Sequence, residues 1–146
     1  RLLAAFESGF AWFDPGSGAL EWIAKPEAHI KGNRSNDGRC DRQGRFWMGS
    51  IVENRTNEEQ SASLYCLQKD FSVTQHFSGL MISNALCWSP DSRKLYHADS
   101  PSHSIRVYDF DAGTGELSNP EIFAHTALAV EPDGACVDAE GYLWNA

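Results

Sequence analysis

Arg34-Ser35-Asn36-Asp37-Gly38-Arg39-Cys40-Asp41-Arg42-Gln43-Gly44-Arg45-Phe46-Trp47-Met48-Gly49 opens on a polar cluster, crosses a second turn at Gln43-Gly44 and ends in a bulky run. Asn and Asp ahead of Gly are turn chemistry, and a short aromatic-rich run bounded by such turns reads as a β-strand. Two weaker copies follow. Trp47 in Gly-Arg-Phe-Trp-Met aligns with Tyr96 in Arg-Lys-Leu-Tyr-His and with Trp144 in Gly-Tyr-Leu-Trp-Asn, at steps of 49 and 48 residues. The polar cluster Asn36-Asp37-Gly38 recurs as Ser83-Asn84-Ala85 and Pro132-Asp133-Gly134. A third landmark spans two periods: Trp12-Phe13-Asp14-Pro15-Gly16-Ser17-Gly18-Ala19-Leu20 matches Tyr108 through Leu117, with Leu20 and Leu117 97 residues apart.

One period reads as four short strands. In the middle copy they fall near Leu86–Ser89, Leu95–Asp99, Ile105–Asp109 and Leu117–Phe123, each bounded by Pro, Asp, Ser or Gly. Pro90-Asp91-Ser92-Arg93 is expected to be a type I turn. No stretch keeps a helical apolar period, and the most polar segment, Thr56–Ser61, is expected to be an exposed loop. Four strands in every roughly 40–50 residues is the signature of a β-propeller blade. The chain is therefore expected to be all-β, a single partial propeller over residues 1–146 holding about three blades, whereas propellers close with ~4–8. Lacking a Met at its start, it is expected to begin inside a longer chain, whose other blades would cover edges left open here.

Composition narrows the function classes. A net charge of −8 argues against a nucleic-acid partner. Basic residues gather between Lys31 and Arg45 among acids, which suits a small anion better. No run reaches the ~18 apolar residues of a membrane span, and Arg1–Phe6 is too short for a signal peptide, so no membrane partner is expected. Cys40, Cys66, Cys87 and Cys136 lack zinc-type spacing. The last three sit in apolar runs and are expected to be buried free thiols, with the cytoplasm as compartment.

In a propeller, residues just before each innermost strand converge on the axis. Asn36 with Asp37, Asn84, and Asp133 hold that position in successive copies. Oxygen donors gathered without Cys suit a hard cation such as Ca2+ or Mg2+. The plainer reading is that Asn and Asp simply make good turns; three at one blade position favour the site. His97, His103 and His125 lack ligand spacing and read as structural or solvated. Trp47, Trp88 and Trp144 read as packing between sheets, and Asp99 as a cap on the Ser100-Pro101 turn.

Arg34-Ser35-Asn36-Asp37-Gly38-Arg39, followed by Asp41 through Ser50, resembles the R-x-N-D-G…D-x-x-G-R-x-x-x-G-[ST] run of the senescence marker protein/gluconolactonase/luciferin-regenerating family. Ile82–Ser89 with Tyr96–Ser100 resembles a second family block, and Pro132–Gly141 a third, in family order. The resemblance implies a six-bladed propeller, with about blades 2 to 4 in this chain, and a metal-dependent hydrolase of sugar lactones. It implies one divalent ion, Ca2+ first with Zn2+, Mg2+ and Mn2+ as alternatives, held by Asn84 and Asp133. Arg34 and Asn36 would face the substrate, as would Glu53 or Asn54; Asn54 stands where the family commonly has Glu. Ala85 and Cys87 replace the commoner Gly and Asp, and a further Glu ligand of the family would lie before Arg1. Asp133 would orient or deprotonate the attacking water, and Arg34 would stabilise charge on the opening ester. The rivals are a non-catalytic metal-binding or protein-interaction propeller, and a hydrolase of another ester or a phosphotriester.

Overall fold

The computed structural model of the chain describes residues 1–54 and 60–146. Most of the loop expected over Thr56–Ser61 lies outside the described residues. Among the described residues thirteen strands form four antiparallel sheets. The first is β1 (Leu2–Phe6), β2 (Gly9–Phe13) and β3 (Leu20–Ala24). The second is β4 (Asn33–Cys40), β5 (Phe46–Val52), β6 (Ala62–Leu67) and β7 (Val73–Leu80). The third is β8 (Ser83–Trp88), β9 (Lys94–Asp99), β10 (Ser104–Phe110) and β11 (Leu117–His125). The last pairs β12 (Ala135–Val137) with β13 (Leu143–Asn145). The four strands expected in the middle copy are all present within three residues of their expected ends. The only helical turn among the described residues is a 3-10 turn at Ser100–Ser102.

Successive side chains of a strand point to opposite faces, and here both faces are buried because each full sheet sits between two others. Trp47, Leu64 and Cys66 face the third sheet, meeting Leu86, Trp88, Leu95, Tyr108 and Phe110. Their neighbours Met48, Tyr65 and Leu67 face the first sheet and Phe10. Ala85, Cys87, Tyr96, Ala98 and Ile105 leave the third sheet on its far side and meet Ala135. Each fully buried aliphatic or aromatic side chain contributes ~1.5–3 kcal/mol. The first strands of the second, third and last sheets, β4, β8 and β12, lie side by side.

Five expectations change. Asn36-Asp37-Gly38 is no turn ahead of a strand: it lies inside β4, where the ladder to β5 slips between Ser35 and Gly38. The extra residues bulge from the strand and bend it without ending it. Asn84 likewise lies inside β8, beside a slip between Asn84 and Cys87 where Ala85 takes φ 57°. Trp144 is exposed, because no further sheet covers β13 among the described residues, and Cys136 is exposed on β12 for the same reason. Asp99 does not cap the 3-10 turn through its side chain; its Oδ1 accepts from the backbone N–H of Met81 and Ile82 at 3.0 and 2.8 Å, binding the end of β9 to the β7–β8 junction.

Close approach of the second and third sheets rests on Gly49 in β5. A Cβ there would stand 1.9 Å from Ser83 Oγ and 2.3 Å from Ser83 Cβ. Gly49→Ala is expected to destabilise by about 1–3 kcal/mol, the cost of overpacking a filled site. Denaturant midpoints check this, and Ser83→Gly in the same background should recover part of the loss; an unchanged midpoint for Gly49→Ala would refute the close contact.

Candidate functional site

The bulge in β4 turns Asn36 toward β8. Its Nδ2 donates to Ser83 O at 3.1 Å and to Asn84 Oδ1 at 3.2 Å. Asp37, the other bulged residue, accepts the Leu86 N–H at 3.0 Å, so the two bulges lock together. Asn84 is buried, and its Nδ2 donates to Ser100 Oγ at 2.9 Å. Ser100 Oγ donates in turn to the Pro132 carbonyl at 2.7 Å. Asn36, Asn84 and the residue before Asp133 thus belong to one hydrogen-bonded line across three sheets.

Asp133 lies just ahead of β12, is exposed, and is held through its main chain. Its N–H donates to Ala146 O at 3.1 Å, and its carbonyl accepts from Asn145 Nδ2 at 3.0 Å. Arg34 lies two residues before Asn36 on β4. It pairs with Glu53 through Nε at 2.6 Å and donates from Nη1 to Ser35 O at 3.0 Å. The Arg34–Glu53 pair is half open to solvent, so its worth to stability is within the ~0–1 kcal/mol of exposed pairs. Glu53 and Asn54 both follow β5 and are exposed.

The donors suit a hard cation. Asn84 Oδ1 has spent one lone pair on Asn36 and keeps the other, and Asp133 offers a carboxylate. Among the described residues no group of three or more His, Cys, Asp or Glu could hold a metal ion. An amide oxygen and one carboxylate fit Ca2+ or Mg2+ as part of a set that other oxygens would complete.

Sequence reasoning missed the residues behind this row. Ser100 is 2% exposed and Ser83 1%. Ser83 Oγ lies 2.8 Å from His97 Nε2, which is wholly interior behind the β8 bulge. Serines beside Pro or Asn read as turn formers, so nothing in their spacing signals burial; Pro101 in the first turn after Asp99 was the one available hint that Ser100 is rigidly placed.

Burial holds the His97 pKa down at about 3, with the Arg106 charge adding to it. Below the ~6.5 of an unfolded His, the unfolded chain takes up a proton that the folded chain refuses until about pH 3. Stability therefore falls as pH drops through that window, at up to ~1.4 kcal/mol per unit. Between pH 7 and 5 the loss from this group should be about 2 kcal/mol. His97→Gln should flatten the pH slope of the unfolding midpoint by that amount; an unaltered slope would show that His97 charges in place.

The family model described as the SMP-30/Gluconolactonase/LRE-like region matches residues 1–146. Regucalcin of Macaca fascicularis is 40% identical over 139 residues, which covers 88% of this chain and 46% of that protein. Regucalcin of Gallus gallus is 37% identical over 139 residues, with the same coverage of 88% and 46%. The chain spans about half the length of the curated relatives it matches. Among solved structures, a calcium-binding regucalcin from Agrobacterium tumefaciens superposes with a TM-score of 0.89 at 35% identity, over 99% of this chain and 48% of that one. A luciferin-regenerating enzyme gives 0.87 at 34%, over 99% and 50%. A gluconolactonase of Xanthomonas campestris gives 0.79 at 26%, over 100% and 52%. The Dos1 propeller, at 12% identity and a TM-score of 0.61 over 93% of this chain and 36% of its own, shares the fold alone. The architecture is that of a β-propeller, and the chain belongs to the SMP-30/gluconolactonase/LRE-like family.

Proposed function

We propose that residues 1–146 form about blades 2 to 4 of a six-bladed propeller that opens sugar lactones with the help of one divalent cation, Ca2+ first. The observation that carries this reading is the line Asn36–Asn84–Ser100–Pro132, which ties oxygen donors of three sheets together where a turn-forming role alone would leave them unconnected. A gluconolactonase and a calcium-binding regucalcin among the structural neighbours support it.

Asn84 Oδ1 and the Asp133 carboxylate would hold the cation, with further ligands from blades beyond this chain. When bound, such an ion polarises a lactone carbonyl and lowers the pKa of a bound water. Asp133 would orient the attacking water and take its proton. Asn36 would present its Oδ1 to a sugar hydroxyl, its Nδ2 being engaged with Ser83 and Asn84. The Arg34 guanidinium, steadied by Glu53, would donate to a substrate oxygen and offset charge on the opening ester. Glu53 acts on this reading through Arg34, and Asn54 stands next to it as a candidate substrate contact. The partner is a small sugar lactone, with neither nucleic acid nor membrane, in the cytoplasm, where Cys40, Cys66, Cys87 and Cys136 would stay unbridged. Among the described residues no helix is long and apolar enough to cross a membrane.

The test is aldonolactone opening by the complete protein that carries this segment, followed as proton release. Activity should vanish on chelation and return with Ca2+. Chelator-insensitive turnover would overturn the metal's part, and turnover of aryl esters or phosphotriesters with none of aldonolactones would overturn the substrate class.

A further inference from the structure

Ser100 decides which atom of Asn84 is offered to a ligand. A serine hydroxyl carries one proton, and the Pro132 carbonyl 2.7 Å away can only accept, so the proton of Ser100 points at Pro132. The lone pairs of Ser100 Oγ are left facing Asn84, and the Asn84 atom at 2.9 Å must be a donor, Nδ2. Oδ1 is thereby turned the other way, toward Asn36. The site is dry enough for this logic to hold: Ser100 is 2% and Asn84 6% exposed, and Pro132 is among the fully buried side chains. Ser100 itself is fixed, since its N–H donates to Ile82 O at 3.0 Å and its carbonyl accepts from His103 N–H at 3.1 Å.

We propose that Ser100 is a positioning residue for divalent-cation binding: through the acceptor-only Pro132 carbonyl it holds the Asn84 amide with Nδ2 on Ser100 and Oδ1 on the side of Asn36, and it couples Asn84 to the segment bearing Asp133. The inference rests on Asn84 and Asp133 being the cation's ligands. Without the Ser100 hydroxyl only the longer Asn36 contact at 3.2 Å still favours this orientation, and the flipped state presents an NH2 group, which cannot bind a cation.

The experiment is Mn2+ titration of the complete protein, read by the loss of the free-ion EPR signal. Ser100→Ala should weaken Mn2+ binding roughly 10–100-fold, the usual effect of removing a group that orients a ligand. Ser100→Cys, close in volume but weak as donor and acceptor, should move affinity in the same direction and covers the case in which the alanine variant fails to fold. The deciding arm uses Asn84→Asp, whose two oxygens are equivalent: in that background Ser100→Ala should cost no Mn2+ affinity. Equal losses in both backgrounds would reduce Ser100 to a structural part and overturn the inference, as would an unchanged affinity in the Asn84 background. An unsubstituted protein that binds no Mn2+ would overturn the metal reading itself, whereas binding indifferent to Ser100 overturns only its role.

Discussion

Asp133→Ala is expected to lower lactone opening at least about a thousandfold, the ~4 kcal/mol scale of the stabilisation a bound dication supplies, with little change in folding stability. The two halves of this expectation have separate grounds in the structure. Asp133 is held by its main chain, through the N–H to Ala146 O and the carbonyl to Asn145 Nδ2, and both bonds survive truncation of the side chain. The residue is exposed, so its removal leaves no buried group stranded. The carboxylate nevertheless sits next to Pro132, the end point of the line from Asn36, and is the acidic donor this chain would bring to the cation. Paired measurements of kcat/KM and unfolding midpoint on the complete protein decide it. Retained activity would remove Asp133 from the chemistry, and a collapse of the midpoint would show that the loss of activity reports folding.

The contrast between what the sequence revealed and what it hid follows from how the blades are held together. The repeat was legible because one device is written locally in successive copies. Asp41 accepts from the backbone N–H of Gln43 and Arg45 and from Trp47 Nε1, and Asp138 does the same for Glu140, Tyr142 and Trp144. Such a turn needs a residue at positive φ, supplied by Gly44 at 86° and Gly141 at 92°, so its spacing survives in the sequence. In the middle copy Ser89 takes over, accepting from Arg93 and Lys94 N–H and donating to Asp91, which explains why that copy was the faintest.

The equivalence of the candidate positions was legible, and their geometry less so. Asn36 and Asn84 were identified as equivalent, but a bulge has no composition of its own, and Asn-Asp-Gly reads as a turn whether the ladder ends there or merely slips. Ala85 shows what the slip costs. An L-residue at φ 57° costs of order 1–3 kcal/mol, and that strained residue directly follows Asn84 in β8. The buried polar partners of β8 were the least legible: Ser100 read only as part of a turn and His97 as structural or solvated, because their roles depend on contacts the linear order does not record. Trp144 and Cys136 were misplaced for the opposite reason: their pattern says interior, and interior they would be only against a further sheet.

Asp41→Ala should destabilise the fold by about 3–5 kcal/mol, the cost of breaking a buried ion pair by removing one partner. The Asp41 side chain is 0% exposed and that of Arg45 6%. Arg45 Nη1 donates to Asp41 Oδ2 at 2.8 Å, while Nη2 reaches into the third sheet to the Ala112 and Gly113 carbonyls at 2.7 Å each. Truncation would strand a guanidinium between two sheets, together with the Trp47 indole N–H at the centre of the largest apolar cluster. Asn at this position should rescue little. Its Oδ1 could keep the Gln43 and Arg45 backbone bonds, but its NH2 would then face the donors of Arg45 and Trp47. Asp138→Ala is the built-in control, since the same turn stands exposed there and no buried cation depends on it. Denaturant unfolding of the three variants should therefore rank Asp41→Ala and Asp41→Asn well below Asp138→Ala. A loss under about 1 kcal/mol for Asp41→Ala, the scale of an exposed pair, would mean that Arg45 is held by the Ala112 and Gly113 carbonyls alone and that the second and third sheets are joined by their apolar faces.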